Sequence, residues 1–291
     1  MELRVLRYFL YVAEEGSITK AAARLHLTQP TLSRQLKQLE EELHCRLFER
    51  NTKGLRLTEA GLLLQQRAVE MFRLEEKIRD EFQQSEELSG TITIGAGEFK
   101  SMAEFAALFQ QFQQRYPNVK LELVSGNAEL IQQQLAQGLL DLGIILAINK
   151  KEGYTMHPFS KQERFGVYVD RSHVLAHNQT LDTSDLEEFP LWISKNDTVQ
   201  NYLQTKLGSA YHQAQIAGEY TLLHNCLYFI HATNALCVSL ELPLQHPELV
   251  FIPFQAELEL ATAIVYPTQQ LRSPLVQTFI AYLNAMLEKH S

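Results

Sequence analysis

Positive charge, cysteine and tryptophan are all scarce in this chain, and long hydrophobic runs are missing. Its 291 residues hold 26 Lys and Arg against 34 Asp and Glu, a formal net charge of -8. A uniformly basic surface is thereby excluded, and any attraction for phosphate has to come from a local patch. The three cysteines, Cys45, Cys226 and Cys237, are odd in number and show no metal-ligand spacing. Neither a disulfide framework nor a zinc site is expected, and buried thiols in a reducing cytoplasm fit. No stretch approaches the roughly 18 apolar residues of a membrane span, and Met1-Glu2-Leu3-Arg4 does not resemble the apolar region of a signal peptide. A soluble cytoplasmic chain without a membrane partner is the expectation. Core-forming material is ample, at 45% hydrophobic residues, and the length suits about two domains.

The charge is unevenly placed. Residues 1–58 carry 10 basic and 7 acidic side chains (+3), residues 59–89 carry 4 and 8 (-4), and residues 90–291 carry 12 and 19 (-7). The basic segment is also the most patterned. Residues 3–14 form a helix with Leu6, Phe9, Leu10 and Ala13 on one face. A short helix at 19–25 contains Ala21, Ala22 and Ala23, which let a neighbouring helix come close. After the turn His26-Leu27, Thr28 stands where an N-cap hydroxyl would satisfy free amides, and Pro30 lies in the first turn, where its missing N–H costs nothing. Leu32, Leu36, Leu39 and Leu43 form a buried stripe. Pro30, Ser33, Arg34 and Lys37 fall on the opposite face, flanked by Thr31 and Gln38. Such a face suits a reader of the DNA major groove. The turn Asn51-Thr52-Lys53-Gly54, between Arg50 and Arg56, reads as a basic hairpin that holds phosphates or enters the minor groove.

Gln29-Pro30, Ser33-Arg34, Leu39-Glu40, Leu47-Phe48-Glu49-Arg50 and Leu57-Thr58-Glu59-Ala60-Gly61 stand in order and at close spacing. Together they resemble the winged helix-turn-helix of LysR-type transcriptional regulators. Where that family often has Gly, this chain has His44, at a helix end suited to a left-handed cap. The resemblance implies DNA contacts from Thr28, Gln29, Pro30, Thr31, Ser33, Arg34, Lys37, Arg50, Lys53 and Arg56.

Residues 59–88 lack Pro and have only Gly61 at their start, so one long linker helix is expected. Leu64, Ala68, Met71, Ile78 and Phe82 share a coiled-coil-like seam, interrupted by Glu75, which needs a partner to bury it. The resemblance implies pairing of these helices in a dimer, with two dimers forming a tetramer. From residue 90 the order strand, helix, strand, helix, strand implies an α/β domain with a parallel sheet. Tyr116-Pro117, Gly126, Leu135, Gly138 and Asp141-Leu142-Gly143-Ile144 resemble the family's regulatory domain, which has a two-lobed fold like that of periplasmic solute-binding proteins. Lobe I is expected at about 90–161 and 268–291, and lobe II at about 162–267. His173-Val174-Leu175-Ala176 resembles the family's His-Pro-Leu-Ala stretch, while Thr233 and Asn234 stand where the family has a Gly-rich helix end.

Enzyme motifs fail individually. Gly95-Ala96-Gly97 follows a strand, but Lys100 occupies the third glycine place of a dinucleotide fingerprint. Ser17-Ile18-Thr19-Lys20 has an acyl-enzyme spacing but begins a DNA-binding helix. His173 and His177 lack the Glu of a zinc-protease helix and a third ligand, and His224 and His231, seven apart, could share a helix face but fit a solvated or core role better than a metal site. An enzyme or solute-binding protein built on the C-terminal domain is the alternative to a regulator, and residues 1–58 argue against it. No cofactor is expected. The resemblance implies a double-stranded operator, a small-molecule effector between the lobes and, as a further partner, RNA polymerase. It places the effector against Phe99, Lys100 and Ser101, then Ser125, Gly126 and Asn127, then Lys195, Asn196 and Asp197. A helix starting near Glu98, with a hydroxyl and a Lys at its N-terminus, suggests an anionic effector; the alternative is a solvated Lys100 whose field Glu98 partly cancels.

Overall fold

The computed structural model describes residues 1–51, 54–82, 87–147, 152–243, 246–256 and 258–287. The chain divides into two compact units, Met1–Phe82 and Gln83–Ser291.

In the first unit, α1 (Leu3–Glu15), α2 (Ile18–Arg24) and α3 (Gln29–Glu42) precede a hairpin of β1 (Phe48–Asn51) and β2 (Gly54–Leu57), and α4 (Glu59–Phe82) follows. Leu6, Phe9 and Val12 of α1 close over Ala21 and Ala22 of α2 and Leu32, Leu36 and Leu39 of α3. Val5 and Val12 take the core places expected of Leu10 and Ala13, because α1 is rotated slightly about its axis. Thr28 caps α3, its hydroxyl accepting from the Thr31 amide at 3.4 Å. His44 does adopt the left-handed conformation, at φ 53°. Thr58 ties the hairpin to α4: its Oγ1 accepts from the Gly61 amide at 3.0 Å and donates to the Arg46 carbonyl at 2.6 Å. A Cβ on Gly61 would meet the Leu47 carbonyl oxygen at 2.2 Å, so only glycine permits this approach.

The second unit opens with β3 (Gly90–Ala96), α5 (Met102–Arg115), β4 (Val119–Ser125), α6 (Ala128–Ala136) and β5 (Leu142–Leu146). A long β6 (Tyr154–Asp170) then crosses to the second lobe, which contains β7 (Leu191–Ser194), α7 (Asp197–Leu207), α8 (Ser209–Gln213), β8 (Ile216–Tyr220), α9 (Leu223–Thr233), β9 (Leu236–Leu240) and β10 (Leu249–Pro253). The return strand β11 (Glu259–Pro267) leads into α10 (Pro274–Leu287). In lobe I, β3 pairs in parallel with β4 and β5, while β11 runs antiparallel between β5 and the first part of β6. In lobe II, β7 pairs in parallel with β8 and β9, and the second part of β6 is antiparallel to β9 and β10.

The lobe boundary therefore needs correcting. β11 lies in the sheet of lobe I, so the chain returns near residue 259 and not near 268. The crossings are continuous strands, and no composition break marks them. Phe279 of α10 seals lobe I against Phe105, Phe109 and Phe112, with ring centroids 6.4, 5.7 and 4.9 Å away. Cys226 and Cys237 are buried neighbours, their sulfurs 3.5 Å apart, and burial pushes the Cys237 thiol well up. Such a thiol is a poor nucleophile.

Candidate DNA interface and interlobe cleft

The recognition surface is built by division of labour along α3. Its leucines are buried, whereas Thr28, Gln29, Pro30, Thr31, Arg34 and Lys37 are exposed and Ser33 is half-buried. Lys37 leans toward Glu41, at 3.6 Å. Arg34 has no carboxylate partner among the described residues. Elsewhere in the unit, two arginines are neutralised: Arg7 pairs with Glu75 at 2.9 Å, and Arg24 with Glu14 and Glu15, each at 2.9 Å. Arg46 and Arg56 are exposed like Arg34 and have no ion pair among the described residues. Free positive charge thus collects along α3 and the hairpin. Lys53 lies outside the described residues, and Arg50 is described only by its backbone, opposite Leu55 in the β1–β2 register.

Glu40 performs a task that the motif alone did not disclose. Its Oε1 accepts from the Leu47 amide at 2.7 Å and the Phe48 amide at 3.2 Å. One carboxylate on α3 thereby fixes where the hairpin leaves the helix, and so how both meet a duplex.

Between the lobes lies a cavity of about 140 Å³. Lobe I contributes Phe99, Asn127, Ile131 and Ile144, among others, and lobe II contributes Phe165, Asn196, Tyr220 and Leu240. Burial pushes the Tyr220 hydroxyl well up, so it stays protonated and donates to the Val238 carbonyl at 2.8 Å. None of the described lining side chains is cationic, and Glu98 is the single carboxylate among them.

Comparison with known proteins identifies both units. A family model described as the LysR substrate binding domain matches residues 85–288. A second, for the bacterial regulatory helix-turn-helix protein of the lysR family, matches residues 3–62. The chain belongs to the LysR family. Among its relatives, the HTH-type transcriptional regulator BudR of Raoultella terrigena is 31% identical over 191 residues, covering 65% of this chain and 66% of BudR. The regulator YtlI of Bacillus subtilis (strain 168) is 30% identical over 222 residues, covering 74% of this chain and 71% of that protein. The fold matches that of full-length CbnR complexed with its target DNA, at TM-score 0.76 and 20% identity, over 98% of this chain and 99% of that one. These relatives are regulators and not enzymes.

Against this LysR framework, the predicted sites divide. Ala68 is fully buried in the core of the first unit and Leu64 packs against it, so these two do not belong to a free dimer seam. The correction follows from helix geometry: Leu64, Ala68, Phe72 and Glu75 form the stripe turned toward the core of their own unit, with Arg7 stacked 4.8 Å over the Phe72 ring and paired with Glu75. Met71, Ile78 and Phe82 remain exposed, and Leu63 and Leu74 join them on one arc.

In the cleft, Phe99, Gly126, Asn127 and Asn196 line the cavity as expected. Ser125 borders a shallower neighbouring hollow. Lys100, Ser101, Lys195 and Asp197 are not among the lining residues. The helix α5 starts at Met102, four residues later than expected, and its anion place is already filled. Glu163, 1% exposed, accepts from the Ser101 amide at 2.9 Å and the Lys100 amide at 3.1 Å. The Lys100 Nζ is 2.8 Å from Glu241, and the Ser101 hydroxyl accepts from Thr262 at 2.7 Å. The Lys100 and Ser101 groups expected to hold an anionic effector thus have internal partners and lie off the cavity lining.

Proposed function

We propose that this protein is a ligand-responsive transcriptional regulator that binds a double-stranded operator as a dimer or a pair of dimers. Each α3 enters a major groove, with Gln29, Ser33 and Arg34 reaching base edges or adjacent phosphates. Lys37, Arg50, Lys53 and Arg56 hold the backbone. The exposed arc of α4, from Leu63 through Met71, Leu74 and Ile78 to Phe82, pairs with that of a second copy. A small molecule in the interlobe cleft favours one arrangement of the assembly, and acts only through its different affinity for the alternatives. The change reaches the operator as altered head spacing and DNA bend, and RNA polymerase recruitment follows.

The supporting observation is that Arg34, Arg46 and Arg56, exposed on or beside α3 and the hairpin, have no ion pair among the described residues, while Arg7 and Arg24 in the same unit are tied to carboxylates. A gel-shift titration tests the reading, using DNA from upstream of the protein's own gene and a shuffled fragment of equal length. Preference for the upstream fragment that persists as salt rises supports it. Equal affinities that fall together with salt would contradict it, since phosphate attraction alone carries no sequence information.

A further inference from the structure

The helix starts around the interlobe cleft share a property that bears on what the cleft accepts. Helix N-termini attract anions through free amides and the positive end of the dipole. Here the chain's own oxygens take one or two amides at each helix start. Glu163 takes the amides before α5, and Glu98, reaching across from lobe I, accepts from the Leu223 amide at the start of α9 at 3.1 Å. The Asn127 Oδ1 accepts from Leu130 at the start of α6 at 2.9 Å. The Asn196 Oδ1 accepts from Thr198 at 3.0 Å and Val199 at 3.1 Å at the start of α7. Two nearby cations are balanced as well, while Lys195 is exposed and does not line the cavity. Lys100 and Arg164 share Glu241, each with a nitrogen 2.8 Å from its Oε2. Burial raises the Glu241 carboxyl, but these two partners outweigh it and hold it below its ordinary range.

We propose that the effector of this cleft is an uncharged, compact molecule with an apolar body and at least one hydrogen-bond donor. This rests on the reading of the cleft as the effector site. An anion entering would shed water, meet no cationic side chain among the described lining residues and face the Glu98 carboxylate. The cavity, at about 140 Å³, is close to the roughly 150 Å³ of an engineered apolar cavity that admits benzene. Phe99, Ile131, Ile144 and Phe165 supply apolar walls, and Glu98 offers an acceptor to an N–H or O–H donor. A single substituted ring or an equivalent aliphatic skeleton fits. Because Glu98 is already engaged at the α9 start, its charge is partly offset, and a neutral donor suits it better than an ammonium group.

The test uses the full chain and three probes of nearly equal shape: benzamide, benzoate and benzylamine, titrated at neutral pH by calorimetry. Benzamide is expected to bind at least about tenfold tighter than either ion, and the cavity-filling variant Ala128→Trp should abolish that binding. The internal carboxylate has its own arm. Glu163→Ala opens the amides of Lys100 and Ser101, so acetate should raise the melting temperature of that variant but not of the parent or of Glu163→Gln. Should Glu163→Ala fail to fold, the comparison of parent with probes decides the matter. Benzoate or benzylamine binding as tightly as benzamide, with loss in Ala128→Trp, overturns the neutral effector while leaving the cleft as the site. Binding of all three probes unaffected by Ala128→Trp overturns the cleft reading too, whereas failure of benzamide to bind overturns the neutral effector alone.

Discussion

The two faces of α4 make the sharpest forecast about assembly. Ala68 is 0% exposed within its own unit, whereas Ile78 is 48% and Phe82 80% exposed. Burying a large apolar side chain contributes roughly 1.5–3 kcal/mol, so the open half of Ile78 is worth about 1 kcal/mol on covering. A twofold dimer counts the change twice, giving about 2 kcal/mol, or about thirtyfold in the dissociation constant. Ile78→Asp should therefore weaken the dimer by at least that factor, because a carboxylate placed in the seam adds a desolvation cost. The melting temperature of the first unit should scarcely change. Ala68→Asp should do the reverse, placing a charge in a closed core and unfolding the head before assembly can be measured. Sedimentation velocity over a dilution series reads the first effect, and near-ultraviolet circular dichroism with heating reads the second. If Ile78→Asp sediments like the parent at every concentration, the exposed arc is not the dimer seam and the reasoning fails.

Two further outcomes are expected. His44→Gly relieves a left-handed residue at the end of α3 and should stabilise the chain by about 1 kcal/mol, seen as a higher denaturant midpoint; an unchanged midpoint would mean that the surroundings already compensate that strain. Ser172 and His231 together lower the Asp170 carboxyl to about 2, while Asp170 and Glu248 raise His231. The Asp170 contribution is fully present above its ordinary value and fades as pH falls toward 2, whereas the His231 contribution is present below its ordinary value and fades as pH rises through the raised one. The melting-temperature difference between parent and His231→Gln should be largest between about pH 4 and 6.5 and shrink on either side; a pH-independent difference would contradict the pairing.

The head was legible in the sequence because its contacts are short in range and each motif residue acts on near neighbours. Thr28 caps the helix it precedes, Thr58 caps the next, and Gly61 is required where α4 meets the Leu47 carbonyl. The four leucines of α3 marked the buried side, and the exposed side followed from it. The linker seam was less legible, because a heptad stripe cannot say which helix it covers. Leu64 and Ala68 rest on α1, and the arc open to a partner is turned toward Leu63 and Leu74. The cleft was least legible. The carboxylate that fills the start of α5 lies 62 residues from Ser101, and Glu98 reaches an amide 125 residues away. Spacing rules carry no information over such separations, so the helix start looked vacant. The lobe boundary failed for a related reason: β6 and β11 pair with each other as they cross, and nothing in their composition marks the crossing.

A footprint of the parent and of Arg34→Ala on the upstream fragment shows whether α3 reads DNA through Arg34. With the dimer intact by sedimentation, Arg34→Ala should lose about 1–3 kcal/mol of specific affinity and relax the preference at one base position per half-site, whereas Arg56→Ala should weaken all sequences alike and reduce the salt slope by about one. An Arg34→Ala dimer that protects the same bases at the same concentration as the parent would contradict the account.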